Sequence, residues 1–272
     1  MKQLIKKLIY PVYSITHSQP DFLIIGTQRS GVTSLYQYLK QHSQILVTNP
    51  LKETYYFDVP ENINKGFGWY LSHFPNKIQK GNKLTFEASP SYLYYPQIPQ
   101  LIKQYLGNIK MIALLRNPSE RAYSAWQMFH SYSRNSYAHL RTKADTRTFS
   151  QAIEEELNPD SNSAKYSYDY LKRGQYFNQL ENYYNHFDRE KILILSFDQL
   201  REDLSSLLNN LCNFLEIESF SLEQITKLQQ EKYAVTSYEK NPNDEEVIAK
   251  LQNYFAGYNE KLYEVLGQDF KW

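Results

Sequence analysis

Gly26, Thr27, Gln28, Arg29, Ser30, Gly31, Val32, Thr33 and Ser34 are consecutive, and they gather glycines, hydroxyls and one guanidinium into a short stretch. Such residues bind an oxyanion: glycine lets backbone N–H groups converge on it, and hydroxyls and a cation complete the shell. The stretch matches the phosphate-loop pattern G-x-x-x-x-G-K-[ST] at Gly26, Gly31 and Thr33 and departs from it at Val32, where the pattern has lysine. A triphosphate enzyme needs that lysine for the outer phosphates, so Val32 argues against a triphosphate. Arg29, inside the loop, suits a shorter anion, such as one phosphate carrying one further group to be transferred. The plainer reading of the loop alone is an ordinary strand-to-helix turn with polar surface residues.

Two more sets of residues carry chemistry. Lys52 and Glu53 stand side by side ahead of the aromatic run Thr54 to Asp58. Laid over the mouth of the loop, Glu53 would meet an acceptor and Lys52 the transferred group; a surface ion pair is the alternative. Arg116 follows the apolar run Ile109 to Leu115, where open parallel sheets bind their ligands. Asn117 and Pro118 then suit the cap and first turn of a helix, with Ser124 two turns along it. Arg116 and Ser124 would clamp a second phosphate, although Glu120 is also placed to pair with Arg116. A magnesium-dependent nucleotide enzyme would end this strand in an acid, and here it ends in arginine, so metal-free chemistry is expected. His17, His42, His73, His130, His139 and His186 lack metal-ligand spacing, and no G-x-S-x-G elbow occurs.

The elements that must position these residues follow from periodicity. Phe22 to Ile25 reads as a buried strand, and Leu35, Tyr38 and Leu39 share one face of the helix after the loop, so backbone N–H groups and helix dipole aim at one anion. Further strands are expected at Ile45 to Val47, Leu84 to Glu87, Ile109 to Leu115 and Ile192 to Leu195. Helices are expected at Ile98 to Leu106, Asp169 to Phe187, Leu204 to Leu215 and Glu245 to Leu266. The alternation predicts an α/β fold, a P-loop-like doubly wound parallel sheet flanked by helices, as a single domain over 21–272 after an N-terminal arm at 1–20. The polar stretch Ser131 to Asp169, with a loop at Asn158 to Ser163, is expected to be a mobile insertion near the acceptor.

With 272 residues and 42% hydrophobic content the chain can bury a full core, and its net charge of +1 offers no field for nucleic acid. Its single cysteine, Cys212, sits in an apolar helical pattern, which excludes an internal disulfide framework and fits a reducing, cytoplasmic setting. The start, Met1 to Tyr10, is basic with an apolar run too short to span a bilayer, cut by Pro11. A soluble protein is expected, with the arm suited to a weak membrane-surface contact. Oligomeric state is not readable. The 25 tyrosines serve packing for the most part, with some available to line a sugar-like acceptor site.

These motifs resemble those of the sulfotransferases that use 3′-phosphoadenosine 5′-phosphosulfate (PAPS), in particular the heparan sulfate and carbohydrate branch and its bacterial relatives. The likeness runs from Phe22 to Trp272. Gly26 to Leu35 is similar to the family's 5′-phosphosulfate loop and Leu115 to Ser124 to its 3′-phosphate motif. Lys52 to Asp58 resembles the K-E-x-x-F-F-D segment, Glu87 to Leu93 the E-x-S-P-x-Y-L block, and Arg173-Gly174-Gln175-Tyr176 and Tyr258 to Gly267 further signatures. The resemblance implies PAPS as donor and 3′-phosphoadenosine 5′-phosphate (PAP) as product, no metal, and a small-molecule or glycan acceptor. By position, Ser30, Gly31, Val32, Thr33 and Ser34 would hold the 5′-phosphate, and Arg116 and Ser124 the 3′-phosphate. Glu53 would be the base, Lys52 would steady the sulfuryl oxygens, and Arg29 would stand where the family has lysine, stabilising the leaving phosphate.

The chain also departs from that pattern. Arg29 replaces a point charge with a planar fork, Val32 removes a hydroxyl, and the stretch Leu228 to Lys240 is only loosely like the family's glycine-containing loop over the adenosine. The other readings are a P-loop nucleotide kinase, and an idle PAP-binding or scaffold protein in which Arg29 marks lost activity.

Overall fold

The computed structural model describes residues 10–48, 52–158, 168–231, 233, 241 and 243–272. The first nine residues of the arm, the loop from Pro159 and most of the stretch 232–240 lie outside the described residues. The elements are α1 (10–16), β1 (Phe22–Gly26), α2 (Val32–Lys40), α3 (Pro60–Ile63), α4 (Phe67–Leu71), α5 (Lys77–Lys80), β2 (Phe86–Ala88), α6 (Ile98–Leu106), β3 (Lys110–Leu115), α7 (Pro118–Ser131), α8 (Ala138–Arg141), α9 (Phe149–Leu157), α10 (Tyr176–Tyr184), β4 (Ile192–Ser196), α11 (Phe197–Glu202), α12 (Leu204–Leu215), α13 (Leu222–Gln230) and α14 (Asp244–Leu266). They fall into two compact units, 1–115 with 181–235, and 116–180 with 236–272.

The first unit holds a parallel sheet in the order β2-β1-β3-β4. Phe22, Leu23 and Ile24 pair with Phe86, Glu87 and Ala88 on one side and with Lys110, Met111 and Ile112 on the other, while β3 continues in register with β4 from Met111–Ile192 to Leu115–Ser196. Flanked on both edges, β1 and β3 are near-continuous apolar runs because no face of a central parallel strand meets water. Leu35, Tyr36 and Leu39 of α2 and Leu207, Leu208, Leu211 and Cys212 of α12 complete this core. Cys212 is fully buried and unpaired, and burial pushes its thiol upward.

The second unit is helical. α7, α9 and α14 enclose Ala122, Tyr123, Phe149, Ile153, Leu251 and Phe255. Its start at α7 is as the residues dictate: the Asn117 side chain accepts from the N–H groups of Ser119 and Glu120, and Pro118 occupies the first helical position.

The structure corrects several expected elements. Ile45 to Val47 forms no strand, since Ile45 makes one isolated parallel bridge to Leu84. The helix expected from Asp169 begins at Tyr176, after a short 3₁₀ turn at Lys172–Gly174. A Cβ on Gly174 would lie 2.7 Å from Phe255 and 2.9 Å from Pro118, so the turn is pressed where a regular side chain has no room. The described part of the polar stretch after Ser131 is no loose insertion: α9 opens with a Thr148–Gln151 capping box and buries Phe149, Ala152 and Ile153.

Candidate active site

The loop after β1 is tied to the end of β3. Thr27 donates from its N–H and its hydroxyl to the carbonyl of Leu114, at 2.9 and 3.2 Å, and its hydroxyl lies 2.5 Å from that of buried Ser30. Arg29 (φ +70°) and Gly31 (φ +87°) both adopt the left-handed conformation. At Gly31 the requirement is double, because a Cβ there would also stand 2.6 Å from Leu200 and 3.1 Å from Phe197. Gly31 caps α2 without a side-chain bond, and the first turn of α2 holds no acid. The leading N–H groups of α2 therefore receive no bond from a cap side chain, in a loop that carries Ser30, Thr33, Ser34 and Arg29: the donor set of an anion site. Ser34 also donates to the carbonyl of Tyr233 at 3.4 Å.

Lys52 and Glu53 reach this loop. The ammonium of Lys52 lies 2.8 Å from the Glu53 carboxylate and donates to the Thr33 hydroxyl at 3.2 Å, with both side chains about one-fifth exposed. The segment is held on the end of β2. Ala88 donates to the Lys52 carbonyl at 3.2 Å, and the buried Glu87 carboxylate accepts from the N–H and hydroxyl of Thr54 at 3.2 and 2.6 Å. Ser89 (2.7 Å), Tyr92 (2.8 Å) and Tyr70 (2.8 Å) also donate to Glu87. Burial, and then the charge of Glu87, hold the Tyr70 and Tyr92 phenols well above their usual range, so both stay protonated donors at neutral pH. Nearby, Asp58 accepts from Ser91, and burial raises its carboxyl. Tyr55, 45% exposed with φ +53°, is pinned by Asn62, which donates to its carbonyl at 2.8 Å.

In the second unit Arg116 lies just before α7 and Ser124 two turns along it, half-buried. Arg116 makes the alternative ion pair foreseen for it: its Nε and Nη2 stand 3.1 and 2.9 Å from Glu120. Its carbonyl accepts from the Tyr176 hydroxyl at 2.8 Å, so the Arg173 to Tyr176 turn braces the arginine loop. Behind it, Arg121 is wholly buried. One Nη donates to the Tyr170 carbonyl, Nε and the other Nη find no partner among the described residues, and burial lowers its guanidinium to about 10. His130 is engaged elsewhere, stacked on Trp126 with Nδ1 2.9 Å from the Asp145 carbonyl.

The first unit thus joins the loop Arg29 to Ser34 to Lys52 and Glu53, while Arg116 and Ser124 belong to the second. The bracing residues Glu87 and Tyr70 were not singled out by type. Glu87 had a signal in its block Glu87-Ala88-Ser89-Pro90; Tyr70, inside an aromatic helix, had none.

Comparison with known proteins bears on the family of the chain. The chain is 27% identical to the membrane-associated sulfotransferase kil1 of Dictyostelium discoideum, over 93% of this chain and 66% of that protein. It is 30% identical to a bifunctional heparan sulfate N-deacetylase/N-sulfotransferase 1 of Caenorhabditis briggsae, over 76% of this chain and 24% of the relative. The chain therefore spans under two thirds of the length of these relatives. Among solved structures, a sulfotransferase from Alicyclobacillus acidocaldarius superposes with a TM-score of 0.69 at 25% identity, covering 93% of this chain and 98% of that one. The model of the sulfotransferase domain matches residues 19–255, more than half of the chain, and the protein belongs to that family.

Proposed function

We propose that this protein transfers the sulfuryl group of PAPS to a hydroxyl or amine of an acceptor, with carbohydrate as the acceptor class. The observation that carries the reading is the contact of Lys52 with Thr33, which sets a carboxylate and an ammonium directly over an uncapped helix N-terminus. The donor fits that place: a loop with glycine at φ +87°, three hydroxyls and no acid in the following turn receives a singly esterified phosphate without the Walker lysine. When bound, PAPS supplies an activated sulfuryl group.

The residues divide the work. Ser30, Gly31, Val32, Thr33 and Ser34 hold the 5′-phosphate through hydroxyls and backbone N–H groups, and Arg116 and Ser124 bind the 3′-phosphate, which takes the place of Glu120 on the Arg116 guanidinium. Glu53 removes the proton of the acceptor as the acceptor's oxygen or nitrogen bonds to sulfur, and the bond from sulfur to the bridging oxygen breaks with its electron pair leaving on PAP. Arg29 stabilises the charge arriving on that phosphate, and Lys52 steadies the sulfuryl oxygens in between. The carbohydrate class rests on the K-E-x-x-F-F-D likeness and on the heparan sulfate relative. Incubation with labelled PAPS and panels of glycan, glycolipid and phenolic acceptors tests the reading, and absence of binding to both PAPS and PAP would refute it.

We further infer a peripheral contact of the N-terminal arm with anionic membrane from a cytoplasmic setting. Among the described residues no helix is long and apolar enough to cross a bilayer. In α1, Val12 is 51% and Ile15 72% exposed, and Lys2, Lys6 and Lys7 precede them in sequence. The Dictyostelium relative's name describes that protein as membrane-associated.

A further inference from the structure

We propose that Glu87 is a positioning residue for sulfuryl transfer, the buried anchor that aims Glu53 and Lys52 at the phosphosulfate loop; this rests on the transfer reading above. A carboxylate with 2% exposure is costly unless its oxygens are satisfied, and Glu87 is satisfied without any cation. It has five hydrogen bonds, from Thr54 twice and from Tyr70, Ser89 and Tyr92. An ordinary core position between β1 and the aromatic helices would take an apolar residue, and a buried charge met only by neutral donors gains little stability over one. What the charge achieves is direction.

Two of its five bonds fall on Thr54, the residue after Glu53. The next residue of β2, Ala88, donates to the carbonyl of Lys52, the residue before it. Glu53 is thus clamped on both sides by consecutive residues of one strand, and that strand is in register with β1, which leads into the loop. The loop itself is reached by Lys52 through Thr33. Ser89 binds Glu87 with its hydroxyl while its N–H donates to the Ile24 carbonyl at 2.9 Å, so the anchor and the strand entering the phosphosulfate loop share a fixed point. The chain of contacts runs from Ile24 through Ser89 and Glu87 to Thr54, and it sets the carboxylate of Glu53 relative to the loop without touching either substrate. Thr54, Glu87 and Lys52 also line one small cleft with His73 and Thr85, so the anchor lies in the wall behind the ammonium.

The role makes a split prediction, because the anchor holds the acceptor-activating segment while the phosphosulfate loop is built by β1, β3 and α2. In the full chain, Glu87→Gln is expected to lower kcat about 10- to 100-fold, the scale of a small misplacement of a reacting group, with the Kd for PAP, which lacks the sulfuryl group, unchanged. Thr54→Val, which removes a single hydroxyl and leaves the carboxylate, is expected to lower kcat about 3- to 10-fold, a fraction of the same effect. In both variants amide hydrogen exchange at residues 52–56 is expected to quicken while exchange in α2 stays as in the wild type. Unchanged exchange at 52–56, or PAP affinity falling in step with turnover, would overturn the proposal and leave Glu87 as general scaffold. If Glu87→Gln does not fold, Thr54→Val decides by the same measurements. A wild-type protein that binds PAP but sulfates no acceptor refutes the transfer reading, and the exchange measurement still decides whether Glu87 aims the segment.

Discussion

Arg29 carries its guanidinium on a left-handed backbone at φ +70°, a conformation that costs a non-glycine residue about 1–3 kcal/mol and persists where the surroundings impose it. Its neighbours Thr27 and Ser30 are bonded to each other, and Thr27 to the Leu114 carbonyl of β3, which holds the loop backbone on either side of it. Replacement by lysine keeps the charge on that backbone and is expected to leave turnover within about tenfold of the wild type. Replacement by alanine removes the charge and is expected to cost about 10²- to 10³-fold in kcat, measured with the same acceptor. Wild-type turnover in Arg29→Ala would assign the leaving-group charge to another residue. Glu53→Gln is expected to lower turnover about 10²- to 10⁴-fold, the worth of a general base, without loss of PAP binding. For Arg116, the pair with Glu120 makes the 3′-phosphate a competitor for a cation already in use. Arg116→Ala should therefore weaken PAP far more than adenosine 5′-phosphosulfate, which lacks the 3′-phosphate, and equal losses in titration calorimetry would remove Arg116 from the site.

At the scale of elements, the loop and α2 depend on one absent side chain. Gly31→Ala forces a methyl against Leu200 and Phe197 at φ +87°, and urea denaturation is expected to show a loss of about 1–2 kcal/mol together with weaker PAP binding. The same element scale shows what sequence made legible. The runs Phe22 to Ile25 and Ile109 to Leu115 announce buried parallel strands because each is apolar on both faces, and the helices at Ile98–Leu106 and Leu204–Leu215 have the expected bounds. The loop residues were readable because their type and spacing are local. What was hidden is what depends on distant partners. Ile45 to Val47 has strand-like residues but, among the described residues, pairs only through the one bridge to Leu84, and the helical pattern from Asp169 is broken by a turn at Gly174, where Phe255, 81 positions later, leaves no room for a side chain. Glu87 stood out only as the start of its E-x-S-P-x-Y-L block, and its bonds to Thr54 and Tyr70 are ones that only the fold brings to it. Arg121 is a related case. Nothing local in its motif marks it, and packing buries it with two donor groups unpartnered among the described residues.

For the whole molecule, ligand binding and surface contact give measurable totals. PAP at about 100 times its Kd should raise unfolding stability by about 2.7 kcal/mol, and Glu53→Gln should retain that gain while Arg116→Ala loses much of it. Flotation with vesicles of mixed phosphatidylserine and phosphatidylcholine is expected to recover the protein, with recovery falling in Val12→Ser/Ile15→Ser and at high salt. Equal recovery by neutral vesicles, or by the double variant, would count against an electrostatically assisted arm.

The pairing of β1 with strands far along the chain also governs how the protein is made. Phe22 meets Phe86 and Lys110, and Met111 meets Ile192, so the sheet joins segments separated by long stretches of sequence. The first unit cannot close during synthesis until the ribosome has delivered β4 and α12, and residues 116–180 emerge before the rest of their own unit, 236–272. Until then β3 is an apolar strand with an open edge, the state in which nascent chains associate with one another or with chaperones. Folding yield should accordingly depend on translation rate and chaperone supply through the middle of the message, and a truncation that removes β4 should aggregate rather than form a smaller native sheet.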